Sequence, residues 1–342
     1  MNVMRKPVDP LEAALAETLE LEDEAGLGAQ WAEASLQVRE YVLRGGKRFR
    51  PALVALGYRI ATRGTEVPRG VTDFAAALEL LHAFLLVHDD VADRAATRRG
   101  GPALHHVMTP GTDARLGEQL AVVAGDHLYS RALEVMLGTG LPASAEATRY
   151  LLGICRHTAA GQYLDLTLSR APLWKVTLFE TLRVAQLKTA RYGFVAPLVC
   201  GAMLGGADAS LIDALARAGR HAGIAFQLRD DLIGLFGDDR VAGKGGAADY
   251  FEAKRSFPVI AAWTRADEAG RAELEALWDA PDKDEASLAK ARAVITTAGG
   301  KAATERVIER CARSASRALS ALPGHARLQL ELAFEHLFHR AA

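Results

Sequence analysis

Two groups of aspartates stand at the ends of apolar stretches, where they could bind a cation. Asp89, Asp90 and Asp93 follow the apolar run from Leu80 to Val87. On a helix, Asp89 and Asp93 share one face, and three like charges this close repel one another unless a cation neutralises them. Carboxylate oxygens suit Mg²⁺, which keeps several waters and usually shares its shell with substrate phosphates. A solvated helix end is the alternative, but the apolar run before these charges favours a metal site.

The second group is Asp230 and Asp231, which end another apolar stretch, and Asp238 and Asp239 follow one to two turns later. By itself this pair is weak support, because Arg229 could simply be its ion-pair partner. Two acidic clusters on two long helices are more specific. Facing each other, they would hold metal ions that neutralise the charge developing on a departing oxygen.

Basic residues accompany the acidic ones. The segment from Gly45 to Pro51 joins two predicted helices and carries Lys47, Arg48 and Arg50. Its glycines free the backbone, and its cations predict a pocket for an anion such as a diphosphate, because arginine offers a fork of donors and lysine a point charge. A solvated basic turn is the alternative interpretation.

Further cations lie close to the acidic clusters along the chain. Arg98 and Arg99 follow the first cluster, and His82 lies two helical turns before Asp89 on the same stripe. A core histidine is as good an interpretation of His82 as a ligand. The other cations are Lys188, beside Thr189 in an apolar helix, and Lys244 and Lys254 after the second cluster. Such carboxylates and cations indicate a substrate that bears a diphosphate and a reaction in which the diphosphate leaves.

The elements that must position these residues are long apolar stretches with helical spacing, and strand-like alternation is nearly absent. Helices of this kind pack around one another, so we predict an all-α fold, a single large helical bundle that forms one domain over residues 1–342. The predicted helices are Leu11 to Glu22, Gln30 to Arg44, Pro51 to Thr62, Val71 to Asp93, Gly117 to Gly138, Ala143 to Ser169, Leu178 to Leu204 and Ala209 to Leu235, with further helices from Ala286 onward.

Composition narrows the class of function. The 342 residues include 41 Lys and Arg and 42 Asp and Glu, a net charge of -1, which argues against a nucleic-acid partner. Cys155, Cys200 and Cys311 lie far apart without metal-site spacing, which suits a reducing cytoplasm. No apolar core of a signal peptide is visible from Met1 to Pro10. The longest uncharged run, Tyr192 to Ala207, is too short for an integral membrane segment.

The motifs and their order resemble the trans-isoprenyl diphosphate synthases, the polyprenyl synthetase family, from about Gly45 to Pro258. The matching segments are Gly45 to Pro51, similar to GGKRxRP; Asp89 to Asp93 with Arg98-Arg99-Gly100; Gly161 to Asp165, similar to GQxxD; Lys188-Thr189; and Phe226-Gln227 before Asp230-Asp231, followed by Gly243-Lys244. The resemblance implies a bundle around a central active-site cavity. It also implies a prenyltransferase that joins isopentenyl diphosphate head to tail with dimethylallyl, geranyl or farnesyl diphosphate.

The resemblance implies a role for each matching residue. Magnesium, about three ions per active site, is bound by Asp89, Asp90, Asp93, Asp230 and Asp231. The allylic diphosphate is held by Arg98, Lys188, Lys244 and Lys254. Isopentenyl diphosphate is held by Lys47, Arg50, His82 and Arg99. The catalytic residues, which lie near the reacting carbons, are Lys188, Thr189 and Gln227. A homodimer is the expected assembly.

Residues before Asp89 on its helix are candidates for the floor that stops the growing chain. Rotation of about 100° per residue places Leu85 and Leu81 within about 40° and 80° of Asp89, whereas Phe84 lies further round. The resemblance implicates Phe84 nevertheless, because an aromatic residue there, with no insertion from Asp89 to Asp93, is similar to geranylgeranyl diphosphate synthases. We therefore predict that product, with farnesyl or longer products as alternatives; a core role is the other interpretation of Phe84.

Two positions depart from the family pattern. Gly234 stands where the family often has a third aspartate, and Ala253 stands before Lys254 where glycine is usual.

Two other protein classes are alternatives. A terpene cyclase would share the fold and the first motif, but it would not need the segment from Gly45 to Pro51 for a second diphosphate. A non-catalytic subunit of a heteromeric prenyl synthase tends to lose its acidic motifs, and only Gly234 favours that alternative.

Overall fold

The computed structural model describes residues 9–20, 27–109, 111–237, 247–320, 322 and 324–339. These residues confirm the predicted all-α class. The strands among them are two short segments, β1 (Thr97–Arg98) and β2 (Gly101–Pro102), which pair as an antiparallel hairpin.

The chain divides into two compact units. One contains residues 1–149 and 200–207, and the other contains residues 150–199 and 208–342. Two of the three boundaries fall within helices, α7 (Ser144–Leu168) and α9 (Ala196–Leu204), and the third follows α9. A single domain over residues 1–342 stays a prediction.

The first unit is built around one central helix. Its elements are α1 (Pro10–Glu17), α2 (Ala29–Leu43), α3 (Phe49–Thr62), α4 (Arg69–Asp93), α5 (Leu104–Val107) and α6 (Ala114–Gly138). α4 packs against α1, α3 and α6, and its apolar side chains cover most faces, with Phe74, Leu78 and Leu81 fully buried. Such a helix belongs in the middle of a core. In the described part of the chain, α4 is also the one helix with the length and apolar composition of a membrane span, but 61% of its most apolar window is buried inside the protein, as in core helices of soluble proteins.

The end of α4 brings basic residues back to the aspartates. Arg94 adopts a left-handed conformation with φ 52°, and its N–H bonds to the carbonyls of Asp90 and Val91, which ends the helix. The hairpin of β1 and β2 then reverses the chain, so that Arg98 and Arg99 contact side chains of α4.

The second unit is centred on a second long helix. Its elements are α8 (Leu178–Val184), a π-helical segment (Ala185–Val195), α10 (Ala209–Phe236), α11 (Ala248–Phe251), α12 (Phe257–Arg265), α13 (Glu268–Trp278), α14 (Glu285–Thr297), α15 (Gly300–Leu319) and α16 (Gly324–His339). α10 packs against the π-helical segment and α15. The side chain of Asp208 caps α10, and Thr177 with Glu180 forms a capping box on α8.

Residues 178–204 differ from the single α-helix predicted there, because the middle residues, Ala185–Val195, are π-helical. Pro197 gives a physical reason, since proline lacks an N–H and its ring crowds the carbonyl four residues earlier. π-helical turns are frequent at functional sites, and this one carries Lys188 and Thr189.

Candidate active site

Asp90 is the buried member of the first aspartate cluster. Its side chain has 0% exposed surface. One carboxylate oxygen accepts a hydrogen bond from the Tyr41 hydroxyl at 3.0 Å, and the other accepts one from Arg98 Nε at 2.7 Å. Burial, and then the charge of Asp90, raises the pKa of Tyr41, so the hydroxyl stays protonated and donates. Asp90 therefore links α4 to α2 through Tyr41 and to β1 through Arg98.

Asp89 and Asp93 are the more accessible members of this cluster. Both are partly exposed, and their spacing of four residues places them on one face of α4. Arg98 Nη2 lies 3.7 Å from an oxygen of Asp89, so one guanidinium stands beside two neighbouring aspartates. The cluster thus offers two carboxylates to solvent and uses the third to hold an arginine.

The structure brings together two of the residues predicted to bind isopentenyl diphosphate. Arg50 Nη1 lies 3.0 Å from His82 Nε2, and because a guanidinium only donates, the histidine nitrogen accepts. Burial, and then the charges of Arg50 and Arg99, hold the pKa of His82 well below its ordinary value, so its ring is neutral at pH 7. Lys47 is exposed in the loop before α3.

Arg99 contacts a residue that the sequence motifs did not include. Its Nη2 lies 2.7 Å from Oε1 of Glu79, a nearly fully buried residue of α4. The loop before α3 passes close to the same guanidinium, since a Cβ at Gly46 would lie 3.2 Å from Arg99 Cζ. The missing side chain of Gly46 therefore lets the loop and Arg99 lie side by side.

The second unit contains a cavity of about 110 Å³ that is lined by ionisable groups. The carboxylates are Asp165 of α7, Asp231 of α10 and Asp249 of α11, and the cations are Lys188, Lys254 and Arg255. Three carboxylates and three cations therefore line the same cavity.

Both lysines of the cavity are paired with aspartates. Lys188 Nζ lies 2.8 Å from Asp165 Oδ2. Lys254 Nζ lies 2.8 Å from Glu252 and 3.7 Å from Asp249. Burial would lower the pKa of Lys254, but Asp249 and Glu252 outweigh it and raise the pKa above the ordinary value, so this lysine is charged.

A chain of hydrogen bonds runs from the π-helical segment to Asp231. Thr189 Oγ1 donates to Gln227 Oε1, and Gln227 Nε2 donates to Asp231 Oδ1 at 2.8 Å. Burial, and then the charge of Asp249, raises the pKa of Asp231 to about 8. The predicted pair Thr189 and Gln227 therefore contact each other and orient an aspartate of the second motif.

The donor chemistry of this cavity fits a hard cation. A carboxylate whose ionised form is disfavoured by burial and by neighbouring carboxylates gains from a divalent cation beside it. Within the described ranges, no three His, Cys, Asp or Glu side chains are grouped so as to hold a metal unaided. Mg²⁺ does not require such a group, because it usually binds one or two carboxylates and completes its shell with water and substrate phosphates.

Gly234, where the third aspartate of the second motif is missing, lies against Asp249, a residue that lines this cavity. A Cβ at residue 234 would be 2.8 Å from the carboxyl carbon of Asp249. The side chain of Asp249 therefore fills the space that a larger residue at 234 would need, and α11 supplies a carboxylate where α10 lacks one.

The remaining predicted site residues are less constrained. Asp230 is exposed, and its role as a metal ligand stays a prediction. Lys244, like Asp238, Asp239 and Gly243, lies outside the described residues.

The candidate chain-length residues lie in the first unit. The ring of Phe84 contacts His88 and Tyr129 of α6, with centroid distances of 4.6 Å and 5.2 Å. Leu81 is fully buried and Leu85 is partly exposed. Their influence on product length stays a prediction.

Four residues of these sites were given no role by the sequence motifs: Tyr41, Glu79, Asp165 and Asp249. A carboxylate inside a long apolar stretch is the signal that could have identified Glu79. Asp165 belongs to the GQxxD segment, and its position one helix turn after Gly161 gave no hint of the lysine it binds. Tyr41 carried no signal, because its partner lies 49 residues further along the chain.

Comparison with known proteins identifies the family of the chain. Residues 32–295 match the polyprenyl synthetase family. The chain is 38% identical over 299 residues to a geranylgeranyl diphosphate synthase of Mycobacterium tuberculosis, which covers 86% of this chain and 80% of that one. It is 35% identical over 259 residues to a (2E,6E)-farnesyl diphosphate synthase of Mycobacterium bovis, which covers 75% of this chain and 68% of that one.

The fold is also similar to a solved structure, geranylgeranyl pyrophosphate synthase from Corynebacterium glutamicum complexed with isoprenyl diphosphate and magnesium. The TM-score is 0.86 and the identity 30%, over 96% of this chain and 97% of that one. The predicted family and type of reaction are thereby confirmed, and the chain belongs to the polyprenyl synthetase family of trans-prenyltransferases.

Proposed function

We propose that this chain condenses isopentenyl diphosphate with an allylic diphosphate to make geranylgeranyl diphosphate, with Mg²⁺ as its cofactor. The cavity of the second unit carries the proposal, because Asp165, Asp231 and Asp249 stand there among Lys188 and Lys254. The ammonium groups suit the oxygens of a diphosphate, and the carboxylates suit the divalent cations that arrive with it. The relatives named as geranylgeranyl diphosphate synthases support this product.

The reaction breaks the allylic carbon–oxygen bond, and the electron pair leaves with the diphosphate. The double bond of isopentenyl diphosphate supplies the electron pair of the new carbon–carbon bond, and a proton is then lost to the departed diphosphate. Lys188 and Lys254 stabilise the negative charge that develops on the departing oxygens, which is where electrostatic catalysis acts. Asp165 and Asp249 hold these two ammonium groups in place.

Bound magnesium would neutralise charge on the diphosphate oxygens. The carboxylates that we assign to it are Asp89 and Asp93 in the first unit and Asp231 and Asp249 in the second, with Asp230 as a further predicted ligand. Asp90 has another task in this proposal: its two oxygens accept hydrogen bonds from Tyr41 and Arg98, so it orients the arginine.

Isopentenyl diphosphate requires cations of its own, because its diphosphate stays attached. In this proposal Arg50 and Arg99 present forked donors, and Lys47 presents a point charge. Neutral His82 accepts a hydrogen bond from Arg50 and so fixes the direction of that guanidinium. A protonated His82 would instead repel it.

Phe84 limits the length of the product in this proposal. Its ring is held between α4 and α6 by contacts with His88 and Tyr129. A large, braced ring forms a rigid floor, whereas a smaller side chain would leave room for further isoprene units.

We further infer that the enzyme is a cytoplasmic homodimer. α6 exposes Leu116, Leu120 and Val123, and their spacing places them on one helix face. Exposed apolar stripes of this kind mark interaction surfaces, and two-fold dimers are the commonest assemblies of identical chains. Cys155, Cys200 and Cys311 form no disulfide bond, which suits a reducing compartment.

Product analysis tests the proposal. Purified protein is incubated with isopentenyl diphosphate, each allylic primer in turn, and Mg²⁺ or EDTA, and the dephosphorylated products are separated by chromatography. A magnesium-dependent linear geranylgeraniol supports the proposal. Farnesol or a longer alcohol overturns the product length but keeps the reaction. A cyclic hydrocarbon indicates a cyclase, and no product with any primer indicates a non-catalytic subunit.

A further inference from the structure

Glu79 is an acidic residue inside the apolar helix α4, and no step of the proposed reaction uses its carboxylate. It lies in the middle of α4 between Leu78 and Leu80, which are both 0% exposed, and its own exposure is 2%. Burying an ionised carboxylate is unfavourable unless it is paired and hydrogen-bonded. The partners of Glu79 therefore indicate its role.

One oxygen of Glu79 binds two arginines from separate segments of the first unit. Oε1 lies 2.6 Å from Arg48 Nη1 and 2.7 Å from Arg99 Nη2. Arg48 belongs to the loop before α3, and Arg99 belongs to the turn between β1 and β2. Arg48 also contacts Glu12 at 3.0 Å and donates to the carbonyl of Val42 at 3.1 Å. Glu79 is thus the point at which the loop and the turn are joined to α4.

Both arginines have left-handed backbone conformations, with φ 41° at Arg48 and 51° at Arg99. Residues with side chains rarely adopt this region and keep it only where their surroundings hold them there. Arg48 directly follows Lys47, and Arg99 is itself a proposed ligand of isopentenyl diphosphate. The two contacts with Glu79 therefore act on the backbone segments that carry these ligands.

Glu79 also supplies negative charge to the group of arginines around His82. The charges of four arginines all act on the ring of His82, namely Arg50, Arg99, Arg98 and Arg48. Asp90 pairs with Arg98. Without the charge of Glu79, Arg99 would lose the carboxylate it contacts, and repulsion would move it from its present position.

We propose that Glu79 is the positioning residue of the isopentenyl diphosphate subsite, an inference that rests on the function proposed above. It holds Arg48 and Arg99 through one oxygen and so fixes where Lys47 and Arg99 meet the diphosphate. A guanidinium carries five N–H donors. Arg99 can therefore keep its bond to Glu79 and donate to a diphosphate oxygen at the same time.

Steady-state kinetics of Glu79→Gln test this role. The variant keeps the shape of the side chain but loses the charge that binds two guanidinium groups. We expect KM for isopentenyl diphosphate to rise about tenfold, and KM for the allylic substrate to stay within about twofold. The matched control is Asp73→Asn on the same helix, because Asp73 pairs with the exposed Arg69 at 2.6 Å; it should change neither KM.

A double variant separates positioning from a merely structural role. If Glu79 acts through Arg99, the two substitutions should not act independently. Relative to wild type, the double variant of Glu79→Gln and Arg99→Gln should raise KM for isopentenyl diphosphate by less than the product of the increases in the two single variants. A structural role alone would lower the melting temperature and leave both KM values unchanged, which would overturn the inference.

A second variant covers the case in which Glu79→Gln does not fold. Arg48→Lys keeps the positive charge but has one nitrogen where the guanidinium uses three, Nη1 for Glu79, Nε for Glu12 and Nη2 for Val42. We therefore expect KM for isopentenyl diphosphate to rise although Arg48 is no proposed ligand. An unchanged KM in this variant would contradict the inference.

The controls distinguish failure of the proposed function from failure of the positioning role. If wild type and Asp73→Asn form no product, the proposed function is wrong. If both are active and Glu79→Gln has the same KM for isopentenyl diphosphate, only the positioning role is wrong.

Discussion

The carboxyl carbon of Asp249 lies 2.8 Å from the position that a Cβ atom of residue 234 would occupy. Gly234 and Asp249 come from different helices, yet each determines what the other can be. With glycine at 234, the carboxylate of α11 can lie beside Asp231, whose pKa it raises. The gap in the second aspartate motif is therefore filled by a carboxylate from another part of the chain.

Gly234→Ala tests this relationship, because the new methyl group must displace the Asp249 side chain. Alanine favours a helix over glycine, so a suitable control is Gly153→Ala in α7, where a Cβ would meet no atom within 4 Å. We expect Gly234→Ala to be less stable than Gly153→Ala by about 1–3 kcal/mol in urea unfolding. Equal stabilities would show that Asp249 does not occupy this space in solution.

Asp231 should make the metal-free protein less stable as the pH rises. Its pKa is raised to about 8 in the folded state, so between the pKa of an ordinary aspartate and pH 8 the folded protein binds more protons than the unfolded chain. Stability from this group is then lost as the pH rises through that window. In EDTA, we expect the melting temperature of Asp231→Asn to exceed that of wild type by more at pH 8 than at pH 5.

The raised pKa of Asp231 also predicts that the protein releases protons when Mg²⁺ and diphosphate bind. Mg²⁺ with inorganic diphosphate should stabilise wild type and release protons near pH 7, because the cation favours ionised carboxylates. Calorimetry in two buffers of different ionisation enthalpy measures that release. Asp231→Asn should release fewer protons, and an equal release in both proteins would speak against Asp231 as a ligand.

His82 should have the opposite effect of pH on stability. Its pKa in the folded protein lies well below the ordinary value of 6.5, so the unfolded chain binds the proton first as the pH falls. The contribution of His82 is fully present above pH 6.5 and decreases below it. His82→Gln keeps an acceptor for Arg50 without a titrating ring, so its stability should fall less than that of wild type from pH 6.5 to pH 5. Parallel curves would contradict a lowered pKa of His82.

Phe84→Ala should lengthen the product. The substitution removes the ring that packs on Tyr129 and His88, and the chromatogram of dephosphorylated products should shift from geranylgeraniol to longer alcohols. Leu86→Ala is the control, because residue 86 lies about 200° around α4 from residue 84 and should leave product length unchanged. The same product distribution in wild type and Phe84→Ala would refute the floor hypothesis.

Val123→Asp should separate the proposed dimer. Val123 is 57% exposed on the α6 face that also carries Leu116 and Leu120, and a charge there would be buried in an interface built on this face. Light scattering after gel filtration should give one chain for the variant and two for wild type. Leu328→Asp, at a residue of α16 that is 59% exposed, should remain a dimer. A monomeric wild type would contradict the proposed assembly.

Helical periodicity predicted most of the fold correctly. The ends of the helices that carry the aspartate clusters agree closely, since α4 ends at Asp93 as predicted and α10 extends one residue beyond Leu235. The π-helical segment within Leu178 to Leu204 was not predicted, because apolar spacing over a few turns does not distinguish it from an α-helix. The sequence does contain the local cause, Pro197.

The sequence motifs supplied the candidate site residues, whose roles stay predictions, but they did not predict how those residues pair with one another. That Asp90 binds Tyr41 and Arg98, while Asp89 stays partly exposed, depends on how α2 and the hairpin pack on α4. Likewise, nothing in the spacing of Asp249 indicates that it lies over Gly234. Contacts between residues far apart in the chain follow from packing, which motif spacing does not encode.

The central claim is a condensation, and the stoichiometry of diphosphate release tests it most directly. Purified protein with Mg²⁺ is given the allylic diphosphate alone, and then both substrates, while released diphosphate and labelled isopentenyl diphosphate in product are measured together. The account predicts negligible release with the allylic substrate alone, and one diphosphate released for each isopentenyl unit incorporated when both are present. Rapid release from the allylic substrate alone, with no isopentenyl unit incorporated, would contradict it.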